Sequence, residues 1–129
     1  MTAHELIEQA YRVAGEYRSS RDCTSGSVSA ALVTESGQLY TGVCIDTACG
    51  LGFCAEHAAI AEMLKHKESA ISMIVAVNTN KIVLPPCGRC RELIYQVNNA
   101  NLKTKVVFGA NDTVLLKELL PYRWQEAYR

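Results

Sequence analysis

No apolar run in this chain is long enough to span a bilayer, and the chain carries no net charge, thirteen basic residues balancing thirteen acidic ones. The first absence argues against a helical membrane span. The second, with neither end strongly basic, argues against a broad electrostatic footprint for duplex nucleic acid or anionic lipid. Aromatic residues are scarce at 7%, which disfavours a strand-binding groove built on stacking platforms. Internal repeats, low-complexity segments and Gly/Ser linkers are missing too. The 129 residues therefore read as a single domain, 1–129, with room for one sizeable core. The opening segment MTAHELIEQAYR has no apolar block of the secretory kind, so the expected location is cytoplasmic.

Cysteine, in contrast, is plentiful: Cys23, Cys44, Cys49, Cys54, Cys87 and Cys90. An even count suits a disulfide framework, but such frameworks belong to small secreted domains with poor cores. Apolar residues make up 49% of this chain, so an ample core is expected and the thiols are left for other chemistry.

Thr2 followed by Glu5 matches a capping box. Apolar residues then recur at helical spacing from Leu6 to Tyr17, predicting a first helix over 2–18. SVSAALVT (27–34) and LYTGVCID (39–46) read as a hairpin turning at Gly37. CAEHAAIAEMLKHK predicts a helix starting near Cys54. ISMIVAVNT (71–79) reads as a buried strand. Pro85 and Pro86 suit the approach to a third helix, CGRCRELIYQV. KVVFGA (105–110) predicts a fourth strand. A short strand near Val114 and a helical turn closed by Pro121 follow. Helices alternating with strands after an opening hairpin imply a mixed sheet with helices on its faces.

Cys54, Cys87 and Cys90 each fall in the first turn of a predicted helix. A helix N-terminus carries partial positive charge and free N–H groups, both of which favour the thiolate that binds metal. A C-x-x-C pair grips one tetrahedral ion and Cys54 offers a third sulfur, leaving one position open, as in catalytic zinc sites. Glu56 shares a turn with Cys54, so it completes the tetrahedron poorly. It is better placed to move a proton at the open position. Three thiolates on a divalent ion leave a charge of about −1, which Arg89, Arg91 and His57 are candidates to offset. A structural zinc closed by His57 or His66 is the plainer alternative. Cys23, Cys44 and Cys49 read as ordinary small apolar thiols.

C-A-E at 54–56 followed by P-C-G-R-C at 86–90 resembles the zinc deaminase signature in its three-cysteine form. With SVSAAL (27–32), YTGV (40–43), PCGRCRE (86–92) and ELLP (118–121), the chain resembles the small cytidine deaminases over nearly its whole length. Within that superfamily it most resembles the blasticidin-S deaminases. The resemblance implies an α/β fold in three layers, with a five-stranded mixed sheet between helices. It implies one Zn2+ per subunit on Cys54, Cys87 and Cys90, with Glu56 as the catalytic proton shuttle. It also implies a homotetramer in which neighbouring subunits help close each pocket. The expected substrate is a small cytosine nucleoside, with nucleic acid and membrane excluded as partners. Substrate contacts are expected at Cys44, Asp46, Ala55, Tyr122 and Trp124.

The chain departs from the family pattern where Asn-x-Glu-Asn usually holds the ribose. Cys44-Ile45-Asp46-Thr47 stands there instead, losing the first amide and shortening the acid by one carbon. His57 also replaces the arginine of C-A-E-R. Tyr122 and Trp124 match the Tyr-x-Trp near the end of blasticidin-S deaminases. The expected activity is hydrolytic deamination of a cytosine base to uracil. The alternatives are a deaminase of single-stranded nucleic acid and a non-catalytic zinc-binding module.

Overall fold

The computed structural model describes residues 1–129. The first helix, α1 (Ala3–Tyr11), opens on the expected capping box. Thr2 Oγ1 accepts the Glu5 amide at 3.1 Å, and the Glu5 carboxylate accepts the Thr2 amide at 3.2 Å. The helix stops seven residues short of the expected Arg18. Its final carbonyls are taken over by tertiary partners: the buried Ser29 hydroxyl donates to Ala10 O at 2.7 Å. Just beyond, Gly15 N–H donates to Gly26 O at 2.9 Å. Gly26 sits at φ +84° with its Cα against the Gly15 carbonyl, where an added Cβ would lie only 2.0 Å from that oxygen. Only glycine permits that crossing. Tyr17–Ser20 consequently forms an edge strand, β1.

The remaining strands are β2 (Cys23–Thr34), β3 (Leu39–Thr47), β4 (Ile71–Asn78), β5 (Lys105–Val107) and β6 (Thr113–Leu115). Helix α2 spans Ala55–Lys65, α3 spans Gly88–Val97 and the short α4 spans Leu116–Leu119. Two 3-10 turns, Asn99–Lys103 and Trp124–Tyr128, complete the chain. The sheet has six strands rather than the expected five, because β1 joins the edge of β2. β2 is central: β3 runs antiparallel along one edge, and β1 then β4 share the other. Only β4 and β5 are parallel, with α3 as their crossover.

Strand residues alternate between two cores, as a period of two requires. Ala31, Val33, Met73, Val75, Val77 and Val107 meet Leu6, Ile7 and Ala10 of α1. Leu32, Tyr40, Ile74 and Val106 meet Ala59, Ile60 and Met63 of α2 and Ile94 and Tyr95 of α3. Each fully buried Leu or Ile contributes about 1.5–3 kcal/mol. The result is the expected three-layer α/β arrangement. A third, smaller core of Ala30, Cys44, Ala55 and Ala76 lies where side-chain bulk is lowest, and a cavity opens beside it.

One buried polar side chain ties the connections together. Asn101 Oδ1 accepts Ile71 N–H at 2.9 Å, while Nδ2 donates to Ser69 O and Ile94 O, each at 3.0 Å. Asn101→Ala strands three backbone partners, two of them in buried hydrogen bonds, and each buried one costs about 1–3 kcal/mol. A denaturant midpoint lowered by the equivalent of roughly 3 kcal/mol or more is expected. An Asn101→Ala protein unchanged in chemical denaturation contradicts that role.

Candidate active site

Two helix N-termini meet at one end of the sheet. Ile45 and Phe53 exchange backbone hydrogen bonds of 3.1 and 3.0 Å, so the chain leaving β3 returns beside it and delivers Cys54 to the N-cap of α2. Gly42 lets α2 lie directly on β3: a Cβ there would stand 2.5 Å from Ala59 N and 2.9 Å from Ala55 O. Similarly, Leu84 N–H donates to Ala76 O at 2.9 Å. This bond returns the chain along β4 and sets Pro85-Pro86 and then Cys87, the N-cap of α3. Neither N-cap cysteine spends its side chain on capping, so both sulfurs are free for other partners.

The sulfurs converge. Cys54 Sγ lies 3.4 Å from Cys87 Sγ, which lies 3.5 Å from Cys90 Sγ. Zinc–sulfur bonds of about 2.3 Å at tetrahedral angles separate sulfurs by roughly 3.8 Å, so the donor set has the right chemistry and nearly the right spread. His57 Nδ1 sits 3.6 Å from Cys90 Sγ. Cys54, His57 and Cys90 also form a set whose ligand atoms all lie within 4.8 Å of one another. His57 is therefore either a hydrogen-bond partner of the cluster or a competing ligand.

Without metal, the thiols titrate differently. Burial opposes the Cys87 thiolate, but the N–H groups of Cys90 and Arg89 and the neighbouring thiols outweigh it and lower its pKa. Cys54 is raised, first by burial and then by Cys87. Cys90, buried at the base, is raised strongly by burial and by the nearby Glu56 charge. Burial, then Arg89, pushes the His57 imidazole down, so in the metal-free protein it meets Cys90 as a neutral ring.

Glu56 is the buried carboxyl of the site, 5% exposed. Burial raises its pKa, against the opposing pull of its own N–H and of the Cys90 thiol. Ile74, Val106 and Pro86 lie on its inner side. It lines a cavity of about 640 Å³ together with Cys54 and Cys87, within the range typical of small-molecule sites. Cys44, Asp46, Ala55 and Arg89 line the same cavity.

Three expected residues lie elsewhere. Arg91, a candidate for charge compensation, gives Nε to Pro86 O at 2.8 Å and Nη1 to Leu119 O at 3.4 Å. Its donors go to main-chain carbonyls rather than sulfurs, because the helix turn carries it to the α4 side. Tyr122 is fully exposed at φ +52° and Trp124 is 59% exposed. Neither lines the cavity of its own chain. The sequence reading missed Ser27, Phe53 and Leu84, all of which line it. Phe53 stacks on His57 with ring centroids 6.2 Å apart. Its place one residue before C-A-E was the only signal available. No helix of the chain is long and apolar enough to cross a membrane.

Comparison with known proteins agrees with this geometry. Residues 1–110 match the family described as "Cytidine and deoxycytidylate deaminase zinc-binding region". A cytidine deaminase of Halalkalibacterium halodurans is 31% identical over 97 residues, 73% of this chain and 74% of that protein. The crystal structure of cytidine deaminase from Mycobacterium leprae superposes with a TM-score of 0.76 at 27% identity, covering 91% of this chain and 95% of the other. That from Burkholderia pseudomallei gives 0.74 at 28% identity, covering 95% and 98%. With Cys54, Cys87 and a buried carboxyl lining one cavity, the chain belongs to the zinc-dependent cytidine and deoxycytidylate deaminase family of hydrolytic deaminases.

Proposed function

We propose that this protein deaminates the cytosine base of a free nucleoside or of a cytosine nucleoside antibiotic such as blasticidin S, yielding the uracil analogue and ammonia. We read Cys54, Cys87 and Cys90 as the residues that would hold zinc, beside the cavity that Cys54 and Cys87 line. The observation that carries the reading is Glu56, buried beside the sulfurs yet lining the same cavity as Cys54 and Cys87. Bound zinc supplies a Lewis acid that lowers the pKa of water. The chain supplies the proton traffic. Glu56 would accept a proton from the attacking water and give it to ring N3, then take the second proton from the same oxygen, now bonded to C4, and pass it to the amine, which leaves C4 as ammonia. Burial, which raises the Glu56 pKa, favours a carboxyl able to take up a proton as well as release one. Arg89, on the cavity wall, offsets the negative charge of the trithiolate centre, and His57, its Nδ1 3.6 Å from Cys90 Sγ, steadies that sulfur.

Residues 1–129 act as one domain in this reading, in the cytoplasm and in a homotetramer. Tyr122 and Trp124, exposed on their own subunit, reach a neighbour's pocket there, with the rigid aromatic faces that favour interfaces. The test is ammonia release by zinc-loaded protein from cytidine, 2′-deoxycytidine and blasticidin S, with a cytosine-bearing single-stranded oligonucleotide alongside. Turnover of at least one small substrate and none of the oligonucleotide is expected. Turnover of the oligonucleotide alone, or of nothing, overturns the reading.

A further inference from the structure

Ser27 was not among the expected site residues, yet it completes a small network on the β2–β3 wall of the cavity. Its Oγ donates to Asp46 Oδ2 at 3.4 Å and lies 3.3 Å from Cys44 Sγ. Cys44 Sγ in turn donates to the same carboxylate oxygen at 3.7 Å and accepts the Val28 amide at 3.3 Å. Cys44 is buried, 6% exposed, so the thiol and its backbone donor form a fixed floor. Both protons converge on one oxygen of Asp46, leaving the other for a ligand. Asp46 itself is exposed and lines the cavity.

The charge around this wall is one-sided. Asp46 takes part in none of the chain's ion pairs. The trithiolate zinc centre carries a charge of about −1, and Arg89 is the one cationic side chain lining the cavity. Arg18 and Arg21 line an adjoining hollow with Asp22 and Asp46, but neither arginine forms an ion pair with Asp46. The wall also lacks an amide donor: a thiol, a hydroxyl and a carboxylate stand there, with both protons already committed to the carboxylate. Such a wall accepts hydrogen bonds and attracts cations. A charge-assisted hydrogen bond is roughly twice as strong as a neutral one.

We propose that Asp46 binds a protonated amine on the sugar side of a cytosine nucleoside, and that Ser27 and Cys44 are positioning residues that aim its carboxylate. This rests on the deaminase reading above and narrows it to amino-sugar cytosine nucleosides.

The experiment measures kcat/KM of zinc-loaded protein for 3′-amino-3′-deoxycytidine and 5′-amino-5′-deoxycytidine, below the amine pKa, against cytidine and the matching deoxycytidines. Ratios taken within one variant cancel any loss of folded or metal-loaded protein. At least one amino analogue is expected to exceed its deoxy counterpart by about tenfold or more, mainly through KM. The ratio is expected to fall to near one in Asp46→Asn, to fall partway in Ser27→Ala and Cys44→Ala, and to return in Cys44→Ser, which keeps a donor. A ratio near one in the parent protein, with cytidine still turned over, overturns this inference and leaves the deaminase standing. A ratio that survives Asp46→Asn removes Asp46 from the role. One that survives both alanine variants removes the positioning residues. Absence of turnover of every cytosine nucleoside instead overturns the parent reading, and this one with it.

Discussion

Glu56→Gln is expected to reduce deamination by roughly 10²- to 10⁴-fold, the range for losing a positioned acid/base group, while retaining its zinc. Glutamine matches the shape of the carboxyl but cannot exchange a proton, so the loss falls on kcat. The same substitution has a second, opposite signature. Burial holds the Glu56 pKa above its ordinary value in the folded, metal-free protein. Below the ordinary carboxylate pKa both states are protonated and the group is neutral toward folding. As pH rises above that value the unfolded chain ionises first, so stability falls until the raised folded pKa is passed, and the penalty then stays constant. Metal-free Glu56→Gln is therefore expected to be more stable than the parent at neutral pH and equal to it at acid pH. Zinc content, single-turnover rates and denaturant titrations at two pH values check the three statements. Turnover retained by the glutamine variant refutes the proton-shuttle role, and an unstable variant refutes the burial argument.

Cys87→Ser and His57→Asn are expected to differ sharply in metal content. Cys87 is the more exposed sulfur, yet its thiolate is the favoured one, and its sulfur bridges the other two. On the proposed ligand set its loss removes a ligand, and affinity for zinc is expected to drop by more than the 10- to 100-fold typical of outer-sphere changes. His57→Asn is expected to stay within that 10- to 100-fold band, since its ring supports Cys90 from 3.6 Å. Competition with a chromophoric chelator measures both. The reverse order, with zinc lost on His57→Asn and kept on Cys87→Ser, assigns the metal to Cys54, His57 and Cys90. Severe loss in both assigns four ligands and a closed site, which has no place for catalytic water.

The elements that carried the site were readable because their signals are local. Helix periodicity, the double proline and the spacing C-A-E then P-C-x-x-C place Cys54, Glu56, Cys87 and Cys90 on first turns without any knowledge of the fold. The error at α1 is equally instructive. Val13, Ala14 and Tyr17 continue the helical period, but the helix ends at Tyr11, because Ser29 and Gly26, more than ten residues away, take over the chain there. Propensity and period know nothing of such partners. Arg91 shows the same limit at the level of one side chain. Its position next to Cys90 suggested the metal, and the turn of α3 directs it to Pro86 and Leu119 instead.

By itself, the sequence determined the chemistry of this protein: three thiols and one carboxyl at helix starts, in an α/β chain with a large core and no net charge. That much rests on residue type and short-range spacing, which survive any rearrangement of the loops. Only the tertiary structure decided which groups share a cavity. It joined Ser27, Cys44 and Asp46 across two strands, left His57 beside Cys90, and turned Arg91, Tyr122 and Trp124 away from the pocket of their own chain. Those outcomes depend on strand register and on close backbone approaches such as Gly42 against α2. Both are set by contacts between residues far apart in the chain, which no local pattern encodes.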